Sequence, residues 1–297
     1  MQEYFFANYR LLIDEKLAER KDMKYLEGFQ KLMPYTHTFT IHLGDSALLD
    51  EKYEKAMSCP EVCTTEAFSI HDENDMWILT SEYKRCNWKY VACYSRDYSE
   101  LTVYIPDNKF YNDKHQTWRE PHLPSDLIRV ACEAGMVMRD GMPLHASLVE
   151  KDGYGVIFLG PSGMGKSTQA KLWVEHQKAD FIIGDRPGVR CVDGVWYGFG
   201  MPWDGKDGIR RQMTVPIKAL VSLEQAKENK IVKLNEQQAM MVLLNQVMMP
   251  MWDDRAMESV TGLMGKLVKD IPFYHFKNLP NKEATVLTCE TIFRGDN

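Results

Sequence analysis

Long apolar runs, a basic surplus and ordered cysteine spacing are all missing from this sequence, and each absence removes a class of function. The most apolar stretch, "AMMVLLNQVMMPMW" (239–252), is too short to span a bilayer and is interrupted by Asn245, Gln246 and Pro250. No membrane partner is expected. Lysine and arginine total 36 against 42 aspartates and glutamates, a formal net charge of −6. A protein whose main partner is nucleic acid wants a basic face, so that class is excluded, although a local pocket for an anion is not. The seven cysteines are odd in number and scattered, and Cys59 and Cys63, the one close pair, lack a second pair to complete a zinc site. Reduced thiols in a cytoplasmic protein are the expectation. The opening "MQEYFFANYRLLIDEKLAER" has an acid at position 3 and no uninterrupted apolar stretch, which does not read as a secretory signal. No internal repeat or low-complexity segment is visible.

What is present suits a globular chain. The 297 residues fit one large domain or two ordinary ones, and 44% apolar with 26% charged residues leaves ample material for a core. Up to about residue 122 the chain looks strand-rich: "HTFTIHL" (37–43), "EAFSIHD" (66–72), "MWILTSEY" (76–83), "WKYVACYS" (88–95) and "ELTVYIPD" (100–107) alternate with period two. A smaller antiparallel β-rich domain over 1–122 is expected, a meander preceded by a helical patch around Asp14 to Met33. The two prolines of "REPHLP" (119–124) mark a boundary, and a second domain spans 123–297. That domain should open with a helix capped by Ser125, in which Gly135 is out of place. Later helices are expected at 235–249 and 254–270 and over "NKEATVLTCETIF", with a strand at "FYHFKNL". The spacing of the methionine-rich helix fits an ordinary buried one.

The chemistry centres on "GPSGMGKST" (160–168), which matches G-x-x-x-x-G-K-[ST] in full. Chance alone yields such a match in roughly one chain of this length in a hundred, so context decides. "GVIFL" before it reads as a strand and "STQAKLWVEH" after it as a helix, the order a phosphate-binding loop needs. Backbone N–H groups from Gly160, Pro161's successor Ser162, Gly163, Met164 and Gly165 can curl around phosphates. Lys166 would reach the terminal phosphates, and Ser167, beside Thr168, would ligate Mg²⁺. Upstream, "HASLVE" and "GVIFL" flank the turn "KDGY"; if Glu150 faces Gly155, His145 lies opposite Gly160. That imidazole can polarise a phosphate, help hold a metal or shuttle a proton, or else simply bond backbone. "ADFIIGD" (179–185) is a further strand whose terminal Asp185 can hold metal or accept the proton of an attacking hydroxyl. His42, His71 and His275 have no partner at ligand spacing and are read as structural.

These segments, "LHASLVEKDGYGVIFLGPSGMGKST", "IIGDRPGVRCVDGVWYGFGMPWDGK" and "MTVPIKALVSLE", resemble the HPr kinase and phosphoenolpyruvate carboxykinase superfamily, particularly its HPr-kinase-like serine kinase branch. The resemblance covers about 125–290 and implies an α/β (α+β) fold, a P-loop core with a mixed sheet. It also implies ATP and Mg²⁺ as cofactors, with Lys166 and Ser167 binding triphosphate and metal, and His145 near phosphate or metal. Asp185 corresponds to one of two consecutive acids, but its neighbours here are Gly184 and Arg186, so Asp185 does both jobs or Asp204 helps. In "GFGMPWDGKDGIRR" (198–211), Arg210 and Arg211 are candidates for neutralising the transferring phosphoryl group, with Lys206 third.

The expected activity is therefore an ATP-dependent phosphotransferase whose acceptor is a serine or threonine of a protein or peptide, or a small alcohol. The alternative is a nucleotide-binding regulatory module without phosphotransfer. A mechanical or transport ATPase is disfavoured, since no "LSGGQ" follows the loop. The sequence leaves the oligomeric state open, a homo-oligomer included.

Overall fold

A computed structural model describes residues 1–112, 116–203, 205 and 207–294. It is a mixed α+β protein with several sheets, and the chain forms two compact units, residues 1–135 with 250–254 and residues 136–249 with 255–297.

The first unit contains β1 (Gln2–Phe6), β2 (Tyr9–Ile13), α1 (Glu15–Ala18), β3 (His37–Leu43), α2 (Leu49–Ser58), β4 (Glu61–Thr64), β5 (Ser69–Glu73), β6 (Met76–Tyr83), β7 (Trp88–Ser95) and β8 (Glu100–Tyr104). A short separate ribbon, β9 (Phe110–Asn112) with β10 (Thr117–Arg119), and most of α3 (Asp126–Val137) complete it. The sheet order is β1-β2-β3-β8-β7-β6-β5-β4. Strands β4 to β8 form the antiparallel meander. The all-antiparallel expectation needs correction, because β3 runs parallel to both β2 and β8. Parallel neighbours require the chain to return between them. The stretch expected to be one helical patch supplies the first return, as the single turn α1 and a 3₁₀ helix at Lys21–Leu26. Helix α2 buries Leu49 and Ala56 against Ile78, Val91 and Tyr104. Gly135 within α3 is explained by crowding: a Cβ there would come within 2.6 Å of the Phe39 ring. The 250–254 segment is tied in by Trp252 Nε1 donating to the Tyr98 hydroxyl at 2.9 Å, which donates to Asp253 Oδ2 at 3.2 Å.

The second unit contains β11 (Gly141–Pro143), β12 (Ala146–Lys151), β13 (Tyr154–Leu159), α4 (Lys166–Gln177), β14 (Asp180–Ile183), β15 (Gly188–Val192), β16 (Val195–Phe199), β17 (Thr214–Gln225), β18 (Lys230–Lys233), α5 (Glu236–Leu244), α6 (Asp254–Asp270), β19 (Phe273–Asn278) and α7 (Lys282–Arg294). The sheet is mixed, in the order β11-β15-β16-β17-β13-β12-β14, with β19 beside the second half of β17 and β18 outside it. Among the described residues of this unit, only β13–β17 and β17–β19 are parallel pairs. Helices α4 and α7 cover β13 and β19 through Phe158, Trp173, Phe276 and Ile292. The Phe158 and Trp173 rings meet edge to face at 5.6 Å, and burying each such ring contributes about 2–3 kcal/mol.

Helix α5 starts on a capping box between Asn235 and Gln238. It stops at Leu244, short of the expected 249, because the next residues pair with another strand. The backbone N–H of His145 donates to Gln246 O at 2.7 Å, and that of Met248 to Pro143 O at 3.0 Å. Nor is α5 an ordinary buried helix: Met241 is 62% exposed and Leu244 40%, while Ala239 and Leu243 face the core.

Candidate functional site

The β12–β13 hairpin turns through Asp152 (φ 51°) and Gly153 (φ 85°), the left-handed pair that matches the twist of a tight hairpin. Its register pairs Glu150 with Gly155 and Ala146 with Leu159, so His145 and Gly160 are the next residues on the two chains. Strand β14 pairs antiparallel with the other side of β12, and the Ser147 hydroxyl donates to Gly184 O at 2.8 Å. The end of β13, the start of β12 and the end of β14 therefore share one sheet edge. That edge carries the 160–168 loop, His145 and Asp185.

Within the loop, Gly163 (φ 82°) and Gly165 (φ 101°) adopt left-handed backbone that a side chain would strain. Gly165 is the N-cap of α4 and no side chain caps that helix, which leaves its first N–H groups for an anion. Pro161, Ser162 and Gly163 are exposed on the crest, Met164 packs onto the core, and Thr168 is exposed on the first turn. From the end of β17, Gln225 Nε2 donates to Gly163 O at 3.0 Å.

Lys166 is buried and uses its three N–H donors locally. They reach Gly160 O at 2.7 Å, Pro161 O at 3.3 Å and His145 Nε2 at 3.2 Å. Burial lowers its pKa, and the Asp185 charge works in the opposite direction. The His145 imidazole accepts from an ammonium at Nε2, which leaves the proton on Nδ1. Burial pushes its pKa down first, the Lys166 charge adds to this with a smaller effect from Arg186, and Asp185 opposes them. Asp185 Oδ1 lies 3.8 Å from His145 Nε2. That oxygen is buried without a hydrogen-bond partner among the described residues. An unmatched carboxylate oxygen at the mouth of an anion cradle suits a cation or a proton.

Asp207 was not anticipated. It accepts hydrogen bonds from Lys171 and from the Ser167 hydroxyl, which hold its carboxyl below the usual range. Nothing local marks it, because its role depends on the 207–211 segment lying along β14. Gly184 N–H donates there to Ile209 O at 3.2 Å, and Ile183 and Arg210 form a bridge. Arg186 was likewise passed over: it adopts φ 56° and its Nε lies 3.9 Å from Asp185 Oδ2. Arg211 is not brought to the loop. It pairs at 2.7 Å with Asp180, at the opposite end of β14 from Asp185. Arg210 lines the groove between α4 and β14, with Lys171 and Phe181. Asp204 and Lys206 lie outside the described residues.

The oxygen donors here are the Ser167 hydroxyl and the Asp185 and Asp207 carboxylates, a hard set that fits Mg²⁺. Among the described residues no three His, Cys, Asp or Glu side chains form a cage of their own. Mg²⁺ commonly binds through one or two carboxylates with substrate phosphates supplying the rest.

The chain matches no family model and no curated protein. Among solved structures it is similar to the Hpr(Ser) kinase/phosphatase from Coxiella burnetii, with TM-score 0.31 and 13% identity over 52% of this chain and 88% of that one. A likeness this weak carries no argument about fold or activity.

Proposed function

We propose that the protein is an ATP-dependent kinase with a P-loop core, transferring the γ-phosphoryl group to a hydroxyl of a peptide, a protein or a small alcohol. The observation that supports it most is the convergence of Lys166, His145 and Asp185, whose buried Oδ1 has no hydrogen-bond partner among the described residues, beside a helix start with no side-chain cap.

On this reading Lys166 exchanges its carbonyl partners for β- and γ-phosphate oxygens, which also releases His145 Nε2. Ser167, Asp185 and Asp207 would hold Mg²⁺, which when bound neutralises charge on the phosphates. Asp185 takes the proton of the acceptor hydroxyl as that oxygen bonds to the γ-phosphorus and the bond to ADP breaks. Arg186 and Lys166 offset the charge spread over the transferring group. On this reading the second unit, residues 136–249 with 255–297, acts as the kinase domain and the first unit as a recognition domain, which moves the boundary from the expected 122 to 135. No described helix is long and apolar enough to cross a membrane, and we place the protein in the cytoplasm.

The competing reading is a regulatory module that binds nucleotide without transfer. It draws on the single acid in "GDR" (184–186), and Asp207 beside Ser167 weakens it. Incubation with γ-labelled ATP and a panel of hydroxyl-bearing peptides and alcohols separates the two. The kinase reading expects a labelled acceptor that disappears in Lys166→Ala. Tight nucleotide binding with no labelled product under any acceptor would leave only the regulatory module.

A further inference from the structure

The first unit holds a second recessed site. A cavity of about 360 Å³ is lined by Tyr83, Arg85, Trp88, Arg119 and His122, among others. A neighbouring cavity of about 230 Å³ shares Tyr83 and His122 with it. Rings form the partition: His122 stands edge-on to Tyr83 at 5.9 Å and to Trp88 at 6.2 Å, and lies 6.4 Å from Tyr90. The Tyr90 hydroxyl, in the wall of the smaller cavity, is buried and has no hydrogen-bond partner among the described residues.

Charge changes sign across this partition. On one side, Arg85 and Arg119 have no ion-pair or hydrogen-bond partner among the described residues. Among the described residues the one acid lining that side, Glu120, is taken by Lys109 at 2.8 Å. On the other side stand the exposed carboxylates of Glu66 and Glu82, with Asp126 already paired to Arg129. These two exposed guanidinium groups, on a chain of net charge −6, make this mouth locally attractive to an anion. Beside the cavity, the β9–β10 ribbon leaves Tyr111 41% and Trp118 67% exposed, their rings 5.3 Å apart. Such an apolar rim extends the surface beyond what a small molecule would cover.

We propose that this divided cavity binds a short polypeptide segment with an acidic residue on the arginine side, an apolar or aromatic residue against Tyr83 and His122, and a basic residue toward Glu66 and Glu82. The proposal stands apart from the phosphate site and survives if the kinase reading fails. The test uses the full chain and calorimetric titration with capped tripeptides: Glu-Phe-Lys and its reverse, against Gln-Phe-Gln and Lys-Phe-Lys. At least one mixed-charge peptide should bind ten times more tightly than either control. Arg85→Glu combined with Arg119→Glu should remove that preference and favour Lys-Phe-Lys. If that pair of changes lowers the melting temperature, Arg85→Gln with Arg119→Gln should still weaken the mixed peptide tenfold. Equal binding of all four peptides, or a preference that survives both variants, would overturn the proposal. Binding of free N-acetylglutamate as tight as that of the peptide would overturn the polypeptide assignment.

Discussion

Replacing Asp185 by Asn removes one charge while keeping the shape, and the first place to look for the consequence is His145. With Oδ1 and Nε2 3.8 Å apart, a full pair of unit charges is worth about 4 kcal/mol at an effective dielectric of about 20 and about 1 kcal/mol in bulk water. The two side chains are 34% and 26% exposed, so solvent screening pulls the value toward the lower figure. About 1–2 kcal/mol corresponds to about one pH unit on the imidazole. The sign follows from the geometry: the carboxylate favours the imidazolium, so its loss lowers a pKa that burial and Lys166 already hold below 6.5. The assay is a titration of the histidine Cε1–H signals by NMR, the eight histidines being assigned with His145→Asn as the reference. The same variant should lose phosphoryl transfer by about a hundredfold or more and lose triphosphate affinity by less than that, because Ser167 and Asp207 would still hold the Mg²⁺. A His145 titration that stays put or moves upward would refute the facing of carboxylate and imidazole, and with it the argument for Asp185 as base.

Asp207→Asn should weaken Mg²⁺-dependent nucleotide binding by about tenfold to a hundredfold, read by titration with and without the cation. Its folding stability should change by less than about 1 kcal/mol, because its partner Lys171 is 58% exposed; a large loss of stability with unchanged Mg²⁺ dependence would make Asp207 structural. Gly200→Ala would place a Cβ 1.8 Å from the Arg211 carbonyl oxygen, and should destabilise by about 3 kcal/mol or more in urea unfolding. A variant as stable as its parent would contradict the close approach of the two backbones. Stability should also fall as pH drops below 6.5, since His145 and His71 have lowered pKa values and the unfolded chain takes up their protons first. His145→Asn should flatten part of that slope in denaturation curves recorded from neutral pH downward.

The readable parts of this molecule are those whose partners are near in sequence. "HASLVEKDGYGVIFL" declares its own turn, and from the turn the register that carries His145 to the loop follows by counting. Strands β3, β6 and β7 were legible to the residue from their β-branched and aromatic content together with period-two alternation. The β1–β2 hairpin was not, because its turn uses left-handed Ala7 and Asn8 with no glycine or proline to announce it. The parallel placement of β3 depends on pairing with Glu100–Val103, sixty positions downstream, for which no local pattern exists. Asp207 and Arg186 escaped for a similar reason: one reaches Ser167 across a loop, and the other matters through an unusual backbone angle. Arg211 looked available because composition does not reveal that Asp180 holds it. The exposure of α5 was hidden by its apolar content; the pairing of 246–248 with 143–145 ends the helix before its outer face can be covered.

One hairpin tip governs more than its own two strands. Because side chains alternate faces along a ribbon, sliding β12 by a single position against β13 would swing the imidazole to the opposite surface of the sheet. Asp152 and Gly153 thus act as a ruler at the remote end, and an extra residue inserted between them would displace His145 from about seven residue lengths away without touching any residue of the candidate site itself.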